Sequence, residues 1–234
     1  MIANAPNNMP ELYDGLDPEW LEYRAERFQD VERRLILSLF DTSGEWSRPY
    51  REAGYPVYAF DIKQPGGFGW SHDIADFSVE YLTEDLGISD VYGILAAPPC
   101  THFTVSGAQY WAAKDEDGRT DTMLALVHRV LQTVELFSPE FWAIENPVGR
   151  LPRLIPKLGK PWYWQPHWYG DAYTKKTGLW GRFNNQLPRN DVEPVRACAA
   201  GSWLMQLGGK SEATKAARSV TPAGFAAAFF EANR

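Results

Sequence analysis

The chain has 234 residues and a formal net charge of −7, and the absence of a repeat or long linker predicts one domain, residues 1–234, with a single sizeable core. Two cysteines and four histidines supply neither a disulfide framework nor the ligand spacing of a zinc site. No apolar run of about 18 residues and no signal-peptide pattern is present, so we expect a cytoplasmic protein.

Two strands and a glycine turn are predicted in the first third of the chain. The apolar run 34–40 predicts a buried strand, and Gly44 follows where a backbone must approach a ligand. A second strand over 57–60 ends in Asp61, and a carboxylate about 20 residues after a glycine turn is typical of ribose binding. A single glycine favours a cofactor without phosphates, such as S-adenosylmethionine. Asp73 closes the next extended segment and is suited to an adenine amino group.

The strand predicted over 91–97 ends in Pro98-Pro99-Cys100. The prolines stop the ladder, because proline has no N–H to donate and its φ is fixed. Cys100 is therefore expected at the carboxyl edge of the sheet, where open α/β folds place their chemistry. A thiol there is either a nucleophile or a packing residue.

Helices are predicted over 120–137, from apolar residues at helical spacing, and over 17–28, from a capping acid and a proline at its start. The polar, glycine-containing segment 101–119 separates Cys100 from the first of these helices. We interpret this segment as a mobile flap over the candidate site, with an ordinary surface loop as the alternative.

A further strand over 141–147 carries Glu145 near its end. A buried carboxyl is costly unless it is solvated, paired or protonated, and a raised pKa would let it deliver a proton at neutral pH. A thiolate beside such an acid suits attack on an electron-poor heterocycle. In cytosine, Cys100 would add to C6 and Glu145 would serve N3, which leaves C5 able to take an electrophile.

An ordered series of motifs resembles those of the C5-cytosine DNA methyltransferases, over residues 34–181 and more weakly near the C-terminus. The matching segments are 39–44 (first cofactor motif), Asp61 and Asp73 (ribose and adenine acids), Pro98-Pro99-Cys100 with 103–107 (nucleophile motif), Glu145-Asn146-Pro147 (Glu-Asn-Val motif) and 169–177 (Gln-x-Arg-x-Arg stretch). In the last of these, Lys175 stands at the first arginine and Thr177 at the second.

The resemblance implies an α/β, Rossmann-like S-adenosylmethionine-dependent methyltransferase fold, with a mostly parallel sheet and helices on both faces. It implies methyl transfer to C5 of a cytosine flipped out of DNA, through a covalent cysteine adduct. The implied catalytic residues are Cys100, Glu145, Asn146 (expected to fix the Cys100 loop by hydrogen bonding) and Lys175. The implied cofactor residues are Phe40, Asp41, Thr42, Ser43, Gly44, Asp61, Ile62, Asp73, Ile74 and Pro98. The implied substrate residues are Pro99, Ser106, Arg150, Lys176, Lys210 and Arg218.

Three departures from the family pattern leave other functions open. Glu45 stands where glycine is usual, and it is expected to pair with a basic neighbour or to tune the amino group of the cofactor. Thr177 cannot replace a guanidinium beside the reacting base. Only residues 182–217 stand where the family has a recognition domain, before a C-terminal helix (218–234) that returns to the cofactor side; such short forms are typical of bacteriophages. The alternatives are a cytosine-modifying enzyme that uses a mononucleotide, RNA or a modified cofactor, and a non-catalytic relative that binds nucleic acid or cofactor.

The charge distribution also bears on DNA as a partner. A net charge of −7 is unfavourable for duplex binding, which depends on phosphate neutralisation. Basic residues nevertheless gather between 150 and 189 and again at Lys210, Lys215 and Arg218, although a solvated surface is the alternative reading of each group. Contacts to the DNA backbone carry no sequence information, so we expect a very short recognition context or a preference for single-stranded DNA.

Overall fold

The computed structural model describes residues 34–63, 69–196, 203 and 212–234, so the helix predicted over 17–28 lies outside the described residues. A seven-stranded sheet lies at its centre. The strands are β1 (Ile36–Leu39), β2 (Val57–Asp61), β3 (Trp70–Ser71), β4 (Gly93–Ala96), β5 (Phe141–Pro147), β6 (Trp162–Trp164) and β7 (Thr177–Arg182). In the order β3-β2-β1-β4-β5-β7-β6, only β7 runs against its neighbours. The predicted mostly parallel sheet is confirmed.

Helices connect and flank these strands. The α-helices are α1 (Arg48–Glu52), α2 (Trp111–Glu116), α3 (Arg119–Phe137), α4 (Leu151–Leu154), α5 (Glu212–Ser219) and α6 (Ala223–Ala232). Shorter 3-10 segments occupy Ile74–Asp76, Val105–Tyr110, Pro156–Leu158 and Pro166–Trp168, and a π-helical turn spans Tyr81–Asp85. In the part of the chain that the structure describes, no helix is long and apolar enough to cross a membrane.

Both faces of the sheet are covered by helices, because successive strand residues point to opposite sides and nearly all are apolar. One face packs against α3, and the other packs against α1 and α6. The first core contains Leu37, Ile94, Ile144, Val127, Val130 and Val134. The second contains Ile36, Leu95, Ala143, Tyr50, Phe225 and Phe229. The predicted placement of helices on both faces is therefore confirmed, with the C-terminal helix beside α1.

The predicted strands at 34–40, 57–60, 91–97 and 141–147 and the helix at 120–137 all form, with ends within a few residues of those expected. The segment 101–119 differs from the predicted loop, because Val105–Tyr110 and Trp111–Glu116 are helical. The physical reason is a tertiary anchor: the Trp111 ring lies 4.7 Å from the guanidinium carbon of buried Arg150. Composition alone does not reveal that contact.

The sheet register brings the predicted functional residues to one edge. Leu39 pairs with both Phe60 and Ala96, and Ala96 pairs with Ile144. The chain therefore leaves β1, β2 and β4 at the same level, and Glu145 lies one residue beyond that level on β5. This edge is where parallel α/β sheets form their ligand sites.

Candidate active site

An open cleft lies at this carboxyl edge of the sheet. Residues from five separate parts of the chain line it. They are Phe40, Asp41, Thr42, Ser43, Ala97, Pro98, Pro99, Cys100, Glu145, Pro147, Lys175, Arg218, Ser219 and Thr221. The structure thus brings together the predicted nucleophile, the predicted acid, a lysine and most of the glycine turn.

The turn after β1 is organised by Asp41, which is 5% exposed. Its Oδ2 accepts hydrogen bonds from Ser38 Oγ (2.8 Å), Ser47 Oγ (2.8 Å) and the Ser47 backbone N–H (3.2 Å). Phe40 and Gly44 have φ values of 62° and 70°, so the backbone bends sharply on both sides of this carboxylate. The result is a rigid turn whose backbone lines the cleft.

Asp61 lies next to this turn at the end of β2 and is 7% exposed. Thr42 Oγ1 donates to Asp61 Oδ2 at 2.6 Å, and the Lys63 N–H donates to Oδ1 at 2.8 Å. Ile62 beside it is 67% exposed. A carboxylate accepts hydrogen bonds from hydroxyl groups, and the exposed apolar side chain beside it offers a surface for a flat ring, so these residues fit the ribose and base of a nucleoside.

Asp73 and Ile74 stand further along the same edge, beyond the lining of the cleft. Asp73 Oδ1 accepts from the Ala75 N–H at 2.9 Å, so this carboxylate caps the 3-10 segment that follows it. The Ile74 side chain is 1% exposed and belongs to the core. The Asp73 carboxylate therefore remains a candidate for ligand contact, whereas the buried Ile74 side chain does not.

The Cys100 loop is held by β5. Asn146 is fully buried, and its Nδ2 donates to the Pro98 carbonyl at 2.9 Å. The Cys100 carbonyl then accepts from the Phe103 and Thr104 N–H groups, at 2.9 and 3.0 Å, in a tight turn. The prediction that Asn146 fixes this loop through a side-chain hydrogen bond is confirmed as a contact.

Cys100 and Glu145 share a desolvated environment. Burial, and then the negative charge of Glu145, raise the pKa of the Cys100 thiol, while nearby Lys175 opposes that rise. Burial likewise raises the pKa of Glu145, again opposed by Lys175. Glu145 Oε1 is buried and has no hydrogen-bond partner among the described residues. A protonated Glu145 would no longer repel a thiolate at Cys100, so the two groups are coupled through charge.

The predicted DNA contact of Arg150 differs from what the structure shows. Its side chain is 3% exposed and forms a bidentate ion pair with Asp115, with two N–O distances of 2.7 Å. It also donates to the His102 carbonyl at 3.1 Å and to Thr120 Oγ1 at 3.0 Å. Because acceptors within the protein bind this guanidinium, Arg150 links separate segments of the chain, and its charge is not exposed at the surface.

The remaining predicted residues divide between the cleft and its surroundings. Pro98, Pro99, Lys175 and Arg218 line the cleft. Ser106 is exposed on the 3-10 segment after Cys100, with its Oγ 3.3 Å from Thr104 Oγ1. Lys176 lies outside the lining, with Nζ 4.5 Å from the centre of the Tyr163 ring. Lys210, and the side chain of Lys215, lie outside what the structure describes.

Two smaller expectations about charge concern Glu45 and metals. Glu45 Oε2 accepts from Arg48 Nε at 3.1 Å, which confirms the expected pairing with a basic neighbour. Among the described residues, no group of three or more His, Cys, Asp or Glu side chains is arranged to hold a metal ion.

Sequence reasoning placed the C-terminal helix on the cofactor side but did not name Ser219 and Thr221, before α6, as site residues. Ser219 and Thr221 line the cleft, and Thr221 is 5% exposed. The segment is held by a hydrogen bond from the Gly224 N–H to Asp171 Oδ2 (3.0 Å), and a Cβ on Gly224 would lie 1.8 Å from the Tyr169 carbonyl. The available signal was the pattern Thr221-Pro222-Ala223-Gly224 at a helix start, in which the glycine permits close backbone approach.

Comparisons with known proteins agree with this geometry. No protein-family model matches the chain. The chain is 29% identical over 126 residues to the type II methyltransferase M.DdeI of Desulfomicrobium norvegicum, a match that covers 50% of this chain and 28% of that relative. Among solved structures it is similar to a prophage-encoded protein of E. coli assigned as a DNA modification methyltransferase, with a TM-score of 0.52 and 16% identity over 76% of this chain and 56% of the other. The chain therefore spans less than two thirds of either protein, and the structural likeness shows the fold.

Proposed function

We propose that the chain is a C5-cytosine methyltransferase, which methylates C5 of cytosine in DNA with S-adenosylmethionine as the methyl donor. One observation carries the proposal. Cys100, Glu145 and Lys175 meet in a single cleft that also contains the turn after β1. A thiol, a cation and a buried carboxyl, one oxygen of which has no hydrogen-bond partner among the described residues, match the needs of addition to cytosine.

Residues at the two ends of the cleft would have different roles, cofactor binding at one end and addition to cytosine at the other. Asp61 and the turn at 40–44 would hold the nucleoside part of the cofactor, which when bound supplies an electrophilic methyl group. Cys100 Sγ would form a bond to C6 of the flipped cytosine as the C5–C6 double bond opens, while Glu145 gives its proton to N3. This leaves C5 with the electron density to accept the methyl group.

Lys175 and Asn146 would support this addition. The positive charge of Lys175 favours the thiolate at Cys100, because it lowers the pKa of that thiol against the effect of burial. Asn146 holds the Pro98 carbonyl, two residues before the nucleophile. After methyl transfer, a base takes the C5 proton, the double bond re-forms, Cys100 leaves as the thiolate and the N3 proton returns to Glu145, which regenerates the enzyme.

Nucleoside mass spectrometry of DNA from cells that express the chain tests this proposal. We expect 5-methylcytosine in DNA from cells with the wild-type chain and none above background with Cys100→Ser. Another cytosine adduct would support the alternative of a modified cofactor. Unmodified DNA in both cultures would contradict the proposed activity and favour a non-catalytic binding protein.

The short segment 182–217 favours a limited recognition context. Its first part lies against the chain before β7, where the Asn190 N–H donates to the Trp168 carbonyl (2.9 Å) and the Val192 N–H to the His167 carbonyl (2.9 Å). Little chain is then available to enter a groove, and each good bidentate base contact supplies only about 1–3 kcal/mol of discrimination. We propose a context of a dinucleotide or less, or a preference for opened DNA, with activity that falls steeply as salt is added.

Bisulfite sequencing of methylated DNA distinguishes these outcomes. Methylation spread over many contexts, or concentrated in single-stranded regions, is expected. Complete methylation of one site of four or more base pairs, with all others untouched, would show that specific readout is present.

A further inference from the structure

A buried arginine connects the two arms of the candidate active site. Arg150 follows Glu145 by five residues, and residues 101–119, here called the flap, follow Cys100 directly. The Arg150 N–H donates to the Phe103 carbonyl at 2.9 Å, and its Nε donates to the His102 carbonyl at 3.1 Å. The first turn of the flap is thus attached to the strand that carries Glu145.

The same guanidinium also reaches the far end of the flap. Both terminal nitrogens of Arg150 bind the carboxylate of Asp115 on α2, each at 2.7 Å, and one of them donates to Thr120 Oγ1 at 3.0 Å. The Trp111 ring lies against its face, 4.7 Å from the guanidinium carbon. One side chain therefore joins the start of the flap, its helix α2 and the first turn of α3.

Other contacts of the flap are of a different kind. A second ion pair, between Asp117 and Arg119, joins residues two positions apart and does not reach β5. Lys114 Nζ donates to the Thr101 carbonyl, which is also within the flap. Close backbone packing does reach the segment after β5, because a Cβ on Gly149 would lie 2.0 Å from the Phe103 carbonyl, but it involves only the first residues of the flap.

We propose that Arg150 is a positioning residue, which holds the flap in place through Asp115 and so fixes the position of Cys100 relative to Glu145. The expected effect on the reaction rate rests on the proposed methyl transfer. The ion pair between Arg150 and Asp115, here called the latch, is a property of the free protein. Asp115 is 48% exposed on its side chain while Arg150 is 3% exposed. The pair is therefore able to open with Asp115 entering solvent, while Arg150 keeps its contacts with His102 and Thr120.

Breaking this pair is expected to affect the chemical step more than binding. A charge-assisted bidentate pair fixes orientation as well as distance, and small misplacements of reacting groups reduce rates strongly. Asp115→Ala removes the acceptor from a half-exposed position, so the variant is expected to fold. Arg150→Lys keeps the charge but loses the planar, two-point geometry.

Two measurements test the latch. The first is the rate at which iodoacetamide alkylates Cys100 in the absence of DNA, with peptide mapping to distinguish alkylation of Cys100 from that of Cys198. The second is the single-turnover rate of DNA methylation. For Asp115→Ala and Arg150→Lys we expect alkylation about tenfold faster and methylation about tenfold slower, with unchanged affinity for S-adenosylmethionine. Asp115→Glu, which can re-form the pair, should recover most of the wild-type rates. The double variant should be no worse than Arg150→Lys alone, because that substitution already disrupts the bidentate pair with Asp115.

Asp117→Ala is the matched control, since it removes a flap carboxylate whose ion pair is local. Wild-type alkylation and methylation rates in both Asp115→Ala and Arg150→Lys would overturn the proposal, as would the same losses in Asp117→Ala. If the wild-type chain methylates no DNA, the proposed function fails, and the alkylation rates still decide whether the latch exists.

Discussion

The buried acids at the two ends of the cleft differ in their hydrogen bonding. At the end proposed to hold the cofactor, Asp41 accepts three hydrogen bonds and Asp61 accepts two. At the end proposed to be catalytic, Glu145 is just as buried but has an oxygen without a partner among the described residues. Satisfied carboxylates hold a backbone in shape, whereas an unsatisfied one retains the capacity to bind or exchange a proton with a ligand.

The same contrast appears in how the chain supplies the groups. The Asp41 turn is local, since its partners Ser38 and Ser47 lie within six residues. Glu145, Cys100 and Lys175 come from three distant segments and are held by long-range contacts such as Asn146 to Pro98. A local network stabilises the fold directly, while the catalytic end depends on the fold being formed around it. Three substitutions test this distinction in four measurements.

The largest effect is expected at Cys100. Cys100→Ser should abolish methyl transfer, because the hydroxyl is a far weaker nucleophile than the thiolate. Affinity for S-adenosylmethionine, measured by calorimetry, should stay near the wild-type value. Cys198→Ser is the control and should retain full activity; full activity in Cys100→Ser would exclude the covalent route.

Removal of the acid should reduce the rate without abolishing it. Glu145→Gln is expected to lower kcat by about 10²–10³, the range typical of general acid catalysis. Because burial raises the pKa of Glu145, the wild-type rate should decline as pH rises through that pKa and the acid loses its proton. The variant should lack this decline. The exposed Glu140→Gln serves as control, and an identical pH profile for Glu145→Gln and wild type would show that Glu145 is not the acid.

At the cofactor end the effect should appear in stability. Asp41→Ala leaves the Ser38 hydroxyl and both Ser47 donors without their acceptor in a buried site. We expect a loss of about 2–4 kcal/mol in the free energy of unfolding, measured by urea denaturation without ligand. Asp76→Ala, at an exposed position, should change stability little. Equal stability of the two variants would contradict the structural role of Asp41.

The smallest expected effect is a gain in stability, in contrast to the loss expected for Asp41→Ala. A glutamate whose pKa is raised in the folded state gives stability that is present below its unfolded pKa and is lost as pH rises through the folded pKa. Glu145→Gln cannot ionise, so it should melt about 2–4 °C above wild type at neutral pH. That gain should vanish as pH falls to the ordinary range of glutamate. A melting temperature below wild type at every pH would show that Glu145 stabilises the fold.

Local patterns of the sequence were sufficient for the main elements and for the edge at which the site lies. Apolar runs that end in Asp61, Pro98 or Glu145 identify buried strands and their carboxyl ends, because strand periodicity and proline chemistry act over a few residues. The ordered motifs also indicated the resemblance to the C5-cytosine DNA methyltransferases. These features depend on neighbours along the chain, so they can be read without coordinates.

Tertiary structure alone decided which charges are free to act. In the sequence Arg150 is a basic residue beside a motif, but in the structure its guanidinium forms an ion pair with Asp115, 35 residues away. The helical flap and the entry of Ser219 and Thr221 into the cleft likewise depend on contacts between distant segments. The state of a charged group is set by burial and by partners that meet only in three dimensions, and for that reason the sequence could nominate Arg150 but not assign its role.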